Sequence, residues 1–325
     1  MKRNDFLKTV ALGAAGGILP GRLKAENKEH TAGRKRISFG IISDLHQDFA
    51  FDAPDRLKAF IRSMNQKKPD FILQLGDFCV PKDDNKVILD IWNQFPGSKY
   101  HVIGNHEFDQ QSTLDQIVQF FKMPASYYSF DVKGYHFIVL DGNGKNPSTP
   151  DARYPSYFNE EQLSWLENDI NTTSLPSIVF CHQGLDHNGV ANREAVRLLL
   201  QNCNKKAGHH KVKAVFSGHH HLDYYNQING IHYIQVNSAT YRWLGRAYNN
   251  TSLPAVHYEK YPLIRNMAYY EDPIWAYVEI SDNGRLVVEG KKTSWKGFSP
   301  YDMGMKPVEW DYPSSTSVSA RSIQL

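Results

Sequence analysis

The sequence predicts an α/β fold built on a mostly parallel sheet, and three observations carry that expectation. Between residues 36 and 290, short apolar runs bounded by turn residues alternate with stretches of helical periodicity. Lys133-Gly134 and Asn229-Gly230 are tight-turn signals joining apolar runs into hairpins, which implies antiparallel edges. The 325 residues are 41% hydrophobic and 22% charged, the balance of a globular chain long enough to bury a core.

The elements follow in order. Residues 37–42 (Ile-Ser-Phe-Gly-Ile-Ile) read as a buried strand, and 55–65 as a helix entered through Pro54. A strand over 71–75, a helix around 87–92 and a short strand over 100–103 come next. Residues 127–131 and 135–140 form a hairpin, followed by a helix over 160–170, a strand over 177–181 and a helix over 193–202. Strands over 212–217, 224–228 and 231–236 lead to a closing pair, 275–280 and 285–288, across Asp282-Asn283-Gly284. No internal repeat or interior linker interrupts residues 36–290, so one domain accounts for them.

The ends read differently. Residues 1–25 have a basic start (Lys2, Arg3, Lys8) and a ten-residue apolar run, Val10 to Leu19. As a helix that run spans about 15 Å, half of a ~30 Å hydrocarbon core, too short for an ordinary membrane span. An export signal has this build, with cleavage near Ala25; the alternative is a frayed amphipathic terminus. Arg3-Asn4 resembles a twin-arginine signal with Asn4 in place of the second arginine, so the export route, Sec or Tat-like, stays open. The expected location is periplasmic or secreted. Residues 291–325 read as a C-terminal extension in which Trp295, Phe298, Tyr301 and Trp310 staple the chain to the domain. The Ser-rich final dozen reads as a mobile tail.

Composition excludes several function classes. The net charge of +3 is too slight to suggest a nucleic-acid polymer as partner, and it originates in residues 1–25. Three cysteines cannot make a disulfide framework. Nothing points to a protein partner, or to a membrane anchor beyond an uncleaved signal. Fourteen histidines stand out, because imidazole is the commonest metal ligand.

Their positions are informative because ligands in α/β sheets gather at strand carboxyl ends. Asp44 and His46 follow the first strand, Asp77 the second, and Asn105 and His106 the third. His182 follows the strand ending at Cys181, and His219, His220 and His221 follow the strand ending at Ser217. In an extended segment His219 and His221 point one way and His220 the other. Asp44, His46, Asp77, Asn105, His182, His219 and His221 make an N/O donor set without thiolate, suited to Mn, Fe or Zn. Seven donors exceed the need of one four-coordinate ion but fit two ions sharing a carboxylate.

In this order, Asp44-x-His46, Gly76-Asp77, Gly104-Asn105-His106-Glu107, His182 and Gly218-His219-x-His221 resemble the five blocks of the calcineurin-like metallophosphoesterases. The resemblance implies a four-layer α/β/β/α sandwich of two mixed sheets flanked by helices, with a dinuclear metal centre at the strand C-terminal ends. It implies that Asp44, His46, Asp77 and His221 hold one divalent or trivalent ion. Asp77, Asn105, His182 and His219 would hold the other, with Asp77 bridging. It also implies hydrolysis by a hydroxide bridging the metals, with His106 as the catalytic group assisting the leaving oxygen and Glu107 placed to orient it. One departure is that Gly76-Asp77 runs into Phe78-Cys79-Val80 where many relatives carry Asp and Arg, which argues against phosphoprotein substrates.

The expected substrate is a small phosphodiester or nucleotide pyrophosphate, with phosphomonoester hydrolysis as the alternative and a non-catalytic metal-binding module as a remote one. A faint likeness from His182 to Ala195, including Asn192, leans toward ADP-ribose/CDP-alcohol pyrophosphatases or cyclic-nucleotide phosphodiesterases. Residues 238–273 form an aromatic-rich loop expected to cap the metals. Tyr241, Arg242 and Trp243 are its candidates for stacking a base and pairing a phosphate.

Overall fold

The computed structural model describes residues 22–23, 36–306 and 312–325. The export signal expected over residues 1–25 therefore lies outside the described residues, apart from two positions, and so does Trp310. In chain order, β1 (Arg22–Leu23) and β2 (Ile37–Ile42) precede α1 (Ala53–Lys67), β3 (Phe71–Gln74), α2 (Lys86–Trp92) and β4 (Ser98–His101). Next come α3 (Leu114–Phe121), β5 (Tyr128–Val132), β6 (Tyr135–Leu140), α4 (Glu160–Thr172), β7 (Ser177–Cys181), α5 (Arg193–Ala207) and β8 (Val212–Ser217). They are followed by β9 (Tyr224–Ile228), β10 (Ile231–Gln235), β11 (Tyr241–Trp243), α6 (Ala255–Lys260) and β12 (Met267–Tyr270). The chain continues through β13 (Ala276–Ile280), β14 (Arg285–Glu289), β15 (Lys291–Lys292), β16 (Trp295–Lys296), β17 (Ser317–Val318) and β18 (Arg321–Gln324).

Two mixed sheets dominate. One has the order β1-β5-β6-β7-β8-β10-β9, the other β18-β14-β13-β2-β3-β4. Strands β6, β7, β8 and β10 run parallel, as do β2, β3 and β4, while the hairpin partners β5 and β9 and the strands β13, β14 and β18 run antiparallel. Both hairpin turns place two successive residues at positive φ, Lys133 and Gly134, then Asn229 and Gly230, as a two-residue turn between twisted strands requires.

Period-two alternation sorts the side chains into layers. Phe39 of β2 meets Phe137, Phe180 and Phe216 of β6, β7 and β8 edge-on at 5.7 to 5.9 Å, so the two sheets pack face to face. The intervening residues Ile138, Val179 and Val215 face the other way and bury against Leu166, Ile170, Val196 and Leu200 of α4 and α5. On the second sheet, Gly40 lies under Phe60 and Met64 of α1, where even a methyl group would collide with the Met64 sulfur. Helices thus cover both outer faces. Truncating Phe39 at the centre of this stack would cost about 3–5 kcal/mol.

The structure corrects the reading of the C-terminus. The final dozen residues, expected as a mobile tail, include β18, which adds an edge to the six-stranded sheet through Arg285↔Gln324 and Leu286↔Ile323 pairing. Ser319 and Arg321 also bond to Asp223. Residues 238–273 are not one irregular loop either, since β11 and β12 pair antiparallel and β16, from beyond the segment, adds a third strand. Helix α3 is an element beyond those expected from the sequence, and Thr113 and Gln116 cap its start reciprocally. Among the described residues, no helix is long and apolar enough to cross a membrane.

Candidate metal centre

The parallel strands of both sheets deliver their following loops to one edge. The loop after β2 stays paired to the loop after β3, through Asp44 N–H to Gly76 O (3.1 Å) and His46 N–H to Asp77 O (2.9 Å). Gly218 N–H donates to His182 O at 2.9 Å, tying the loops after β7 and β8 together. Asp44, His46, Asp77, His219 and His221 all have positive φ, between 51° and 73°. Five non-glycine residues in that region, at roughly 1–3 kcal/mol each, concentrate strain at one place, as functional sites do.

The side chains converge in three overlapping groups, Asp44 with His46 and His221, Asp77 with His182 and His219, and His46 with Asp77 and His106, each with ligand atoms within 4.8 Å of one another. In the first, His221 Nε2 lies 3.2 Å from Asp44 Oδ1 and 3.0 Å from His46 Nε2. In the second, His182 Nε2 lies 3.1 Å from Asp77 Oδ2. The same Asp77 oxygen is 3.6 Å from His46 Nε2, so this carboxylate stands between the groups. Two rings are oriented by backbone. His182 Nδ1–H donates to Leu75 O and His221 Nδ1–H to Tyr241 O, both at 2.8 Å, which turns each Nε2 inward.

Electrostatics match a cation site. Burial pushes Asp44 and Asp77 up, but the facing histidines, led by His221 for Asp44 and His182 for Asp77, hold both below the usual carboxylate range. Burial lowers His182, yet Asp77 and Asp44 draw a proton onto it and raise it to about 10. A cation would displace that proton. Burial first, then repulsion from His182, depresses His219 to about 4, leaving a neutral imidazole. Asn105 Oδ1 is buried with no hydrogen-bond partner, which an N/O-bound metal would satisfy. The seven residues therefore fit the metals that the sequence implies.

The other expected site residues divide. His106 is beside the centre, and its backbone N–H donates to Asp77 Oδ1 at 2.8 Å. Glu107 does not orient it. That carboxylate is fully buried and turns back to accept N–H bonds from Asp77 (3.1 Å), Phe78 (2.6 Å) and Gly104 (2.8 Å). Burial and Asp77 push Glu107 up to about 7 while these donors pull it down. Tyr241 and Trp243 line the cavity over the centre, Tyr241 as a buried backing ring 4.8 Å from His221. Arg242 also reaches the wall, but its guanidinium is committed to His220 O (2.8 Å) and Ser314 Oγ (3.2 Å). Asn192 is not in the cavity. Its amide accepts from Phe158 N–H (3.0 Å) and donates to Phe158 O (2.8 Å), pinning a loop to α5.

The cavity is about 710 Å³ and is lined by Asp77, Asn105, His106, His219 and His221 on its floor. Arg153 and Tyr154 from the 141–159 connection and Arg246 from the cap form part of its walls. Arg246 belongs to the 238–273 segment expected to cap the metals, whereas Arg153, Tyr154 and Asp109 were missed by motif reading. The available signal was length, since connections above about 12–15 residues tend to be functional.

The calcineurin-like phosphoesterase family model matches residues 37–223, which include every one of these ligand positions. The chain belongs to the calcineurin-like phosphoesterase family. It is 25% identical over 224 residues to a manganese-dependent ADP-ribose/CDP-alcohol diphosphatase of Arabidopsis thaliana, covering 52% of this chain and 70% of that protein. It is 30% identical over 187 residues to the serine/threonine-protein phosphatase CPPED1 of Danio rerio, covering 50% of this chain and 58% of that protein. A crystal structure of a dimetal phosphatase from Danio rerio shares the fold, with a TM-score of 0.56 at 15% identity over 81% of this chain and 99% of that one. The family's α/β arrangement of mixed sheets flanked by helices is the one described above.

Proposed function

We propose that this calcineurin-like protein hydrolyses a small phosphodiester or nucleotide pyrophosphate at the centre formed by Asp44, His46, Asp77, Asn105, His182, His219 and His221. The observation that carries this reading is the cavity. It opens onto the donor set and is walled by Tyr154, Trp243, Arg153 and Arg246, flat rings and cations suited to a nucleotide. The relative named a manganese-dependent ADP-ribose/CDP-alcohol diphosphatase supports the substrate class and favours manganese among Mn, Fe and Zn.

Two ions held by these residues would supply Lewis acidity and an activated water for in-line displacement at phosphorus. Asp77, which stands between the groups, would be the carboxylate they share. Asn105 lines the same cavity, and its buried amide oxygen has no protein hydrogen-bond partner. His106 stands at the cavity floor to assist the departing oxygen, and Arg153 and Arg246 bind the anionic remainder of the substrate. Residues 1–25 support export to the periplasm or beyond, which cell fractionation with an antibody against the chain checks.

A phosphomonoesterase is the second reading, favoured by the relative named a serine/threonine-protein phosphatase. Hydrolysis of bis-4-nitrophenyl phosphate, 4-nitrophenyl phosphate, ADP-ribose and cyclic AMP by manganese-loaded protein separates the two. The diester reading expects turnover of a diester or of ADP-ribose above that of the monoester, lost in Asp77→Asn. Preference for the monoester would select the alternative, and no turnover with metal bound would remove both.

A further inference from the structure

We propose that Asp109 and Tyr154 are positioning residues that fix the orientation of His106, a role resting on the phosphoesterase reading above. His106 Nδ1 lies 2.7 Å from Asp109 Oδ2. The other oxygen of Asp109 accepts the Tyr154 hydroxyl at 2.9 Å, and that hydroxyl is 3.4 Å from His106 Nδ1. The Tyr154 ring packs 5.0 Å from the imidazole. His106 is thus held on one edge by a carboxylate that is itself held from a segment 45 residues away.

The local backbone supports the assignment. Residues 106–111 form a short turn of 3-10 helix that breaks at Asp109 (ψ 157°), after which Gln110 and Gln111 adopt φ of 58° and 64°. Two successive left-handed non-glycine residues are costly, and they persist only where the surroundings dictate them. The bond from Nδ1–H to Asp109 leaves Nε2 as the nitrogen that meets the departing oxygen, because a carboxylate partner selects which ring nitrogen keeps its proton. Asp109 has little exposed surface, 16% of its side chain, so the pair is more than a solvated surface contact. Tyr154 belongs to the connection that also carries Arg153, so the segment that walls the cavity also holds the group acting on the leaving oxygen.

The test uses the full chain loaded with manganese and compares phenyl with 4-nitrophenyl esters of one phosphate. The variants are Asp109→Ala, Tyr154→Phe, His106→Ala and the double variant of Asp109 and His106. Positioning predicts that Asp109→Ala lowers kcat for the phenyl ester on the order of 10- to 100-fold, less than the full general-acid contribution, with KM within about twofold. The nitrophenyl ester, whose leaving group needs less help, should be affected less, Tyr154→Phe should do the same more weakly, and Asp109→Ala should add nothing once His106 is alanine. A loss in KM alone, or an equal loss in the His106→Ala background, overturns the proposal. Two-bond proton–nitrogen correlations of the His106 ring in the metal-free protein give a readout independent of turnover. Positioning predicts Nδ1 protonated in wild type and a changed tautomer balance in Asp109→Ala, or in Tyr154→Phe and Asp109→Asn if the alanine variant does not fold. Unchanged ring spectra overturn it. If wild type hydrolyses no ester, the phosphoesterase reading falls while the ring spectra still decide the positioning.

Discussion

His182 donates its Nδ1–H to the carbonyl oxygen of Leu75 at 2.8 Å, a bond from the end of one sheet to the end of the other. It leaves His182 Nε2 facing Asp77 at 3.1 Å. The two interior strands β3 and β7, one from each sheet, are therefore tied together at their ends by a candidate ligand. Ligand geometry and sheet packing are the same structural fact here, and a change that moves the ring moves the centre.

Gly76 is where this can be tested. It sits at φ 98°, and a Cβ there would lie 2.3 Å from His182 Nδ1. Gly76→Ala should displace the ring, cost about 1–3 kcal/mol and weaken metal binding on the order of 10- to 100-fold. Titration with manganese followed by calorimetry measures the affinity, and denaturant unfolding measures the stability. Wild-type affinity in a folded Gly76→Ala protein would mean that His182 is not held as described.

His136 makes a separate prediction far from the centre. Its ring is fully buried, with Nδ1 2.6 Å from Asp131 and Nε2 2.8 Å from Asp169. Burial lowers its pKa, but the two carboxylate bonds outweigh it and raise the pKa above the ordinary value of 6.5. A raised folded pKa contributes stability that is complete below the unfolded value and fades as pH rises through the folded one. His136→Gln should therefore cost most below pH 6.5 and progressively less as pH rises above that value. Denaturant midpoints for both proteins on either side of it check this, and a gap independent of pH would contradict it.

The strand-end donors were legible in the sequence because each is adjacent to an apolar run of strand length, and a strand's end fixes where the next residue emerges. What surrounds them was not. Glu107 follows His106 directly, but the turn carries its carboxylate away to three backbone N–H groups, and Asp109 takes the contact instead. Sequence adjacency does not determine direction inside a tight turn. Asn192 had a motif-like setting yet serves Phe158, a partner 34 residues away that no local pattern reveals. The Ser-rich end was misread for a different reason. A four-residue edge strand such as Arg321–Gln324 owes its order to the neighbour it pairs with, Arg285–Glu289, and to Ile323 turning inward, so its own composition says little.

The cavity walls should show in binding before chemistry. Arg246 lines the cavity as an exposed side chain, unlike the committed Arg242. Arg246→Ala should raise KM for ADP-ribose by about 3- to 30-fold, the loss of one charge-assisted contact, and leave kcat nearly unchanged. Steady-state kinetics on the folded variant measure both. An equal fall in kcat with constant KM would place Arg246 in transition-state stabilisation instead.

The proposed chemistry rests on one carboxylate, Asp77, joining two metal positions. Anomalous diffraction at the manganese edge from crystals of the manganese-loaded protein tests it most directly. A shared Asp77 requires two peaks, one among Asp44, His46 and His221 and one among Asn105, His182 and His219, with Asp77 contacting both. A single peak, or two that do not share Asp77, would contradict it.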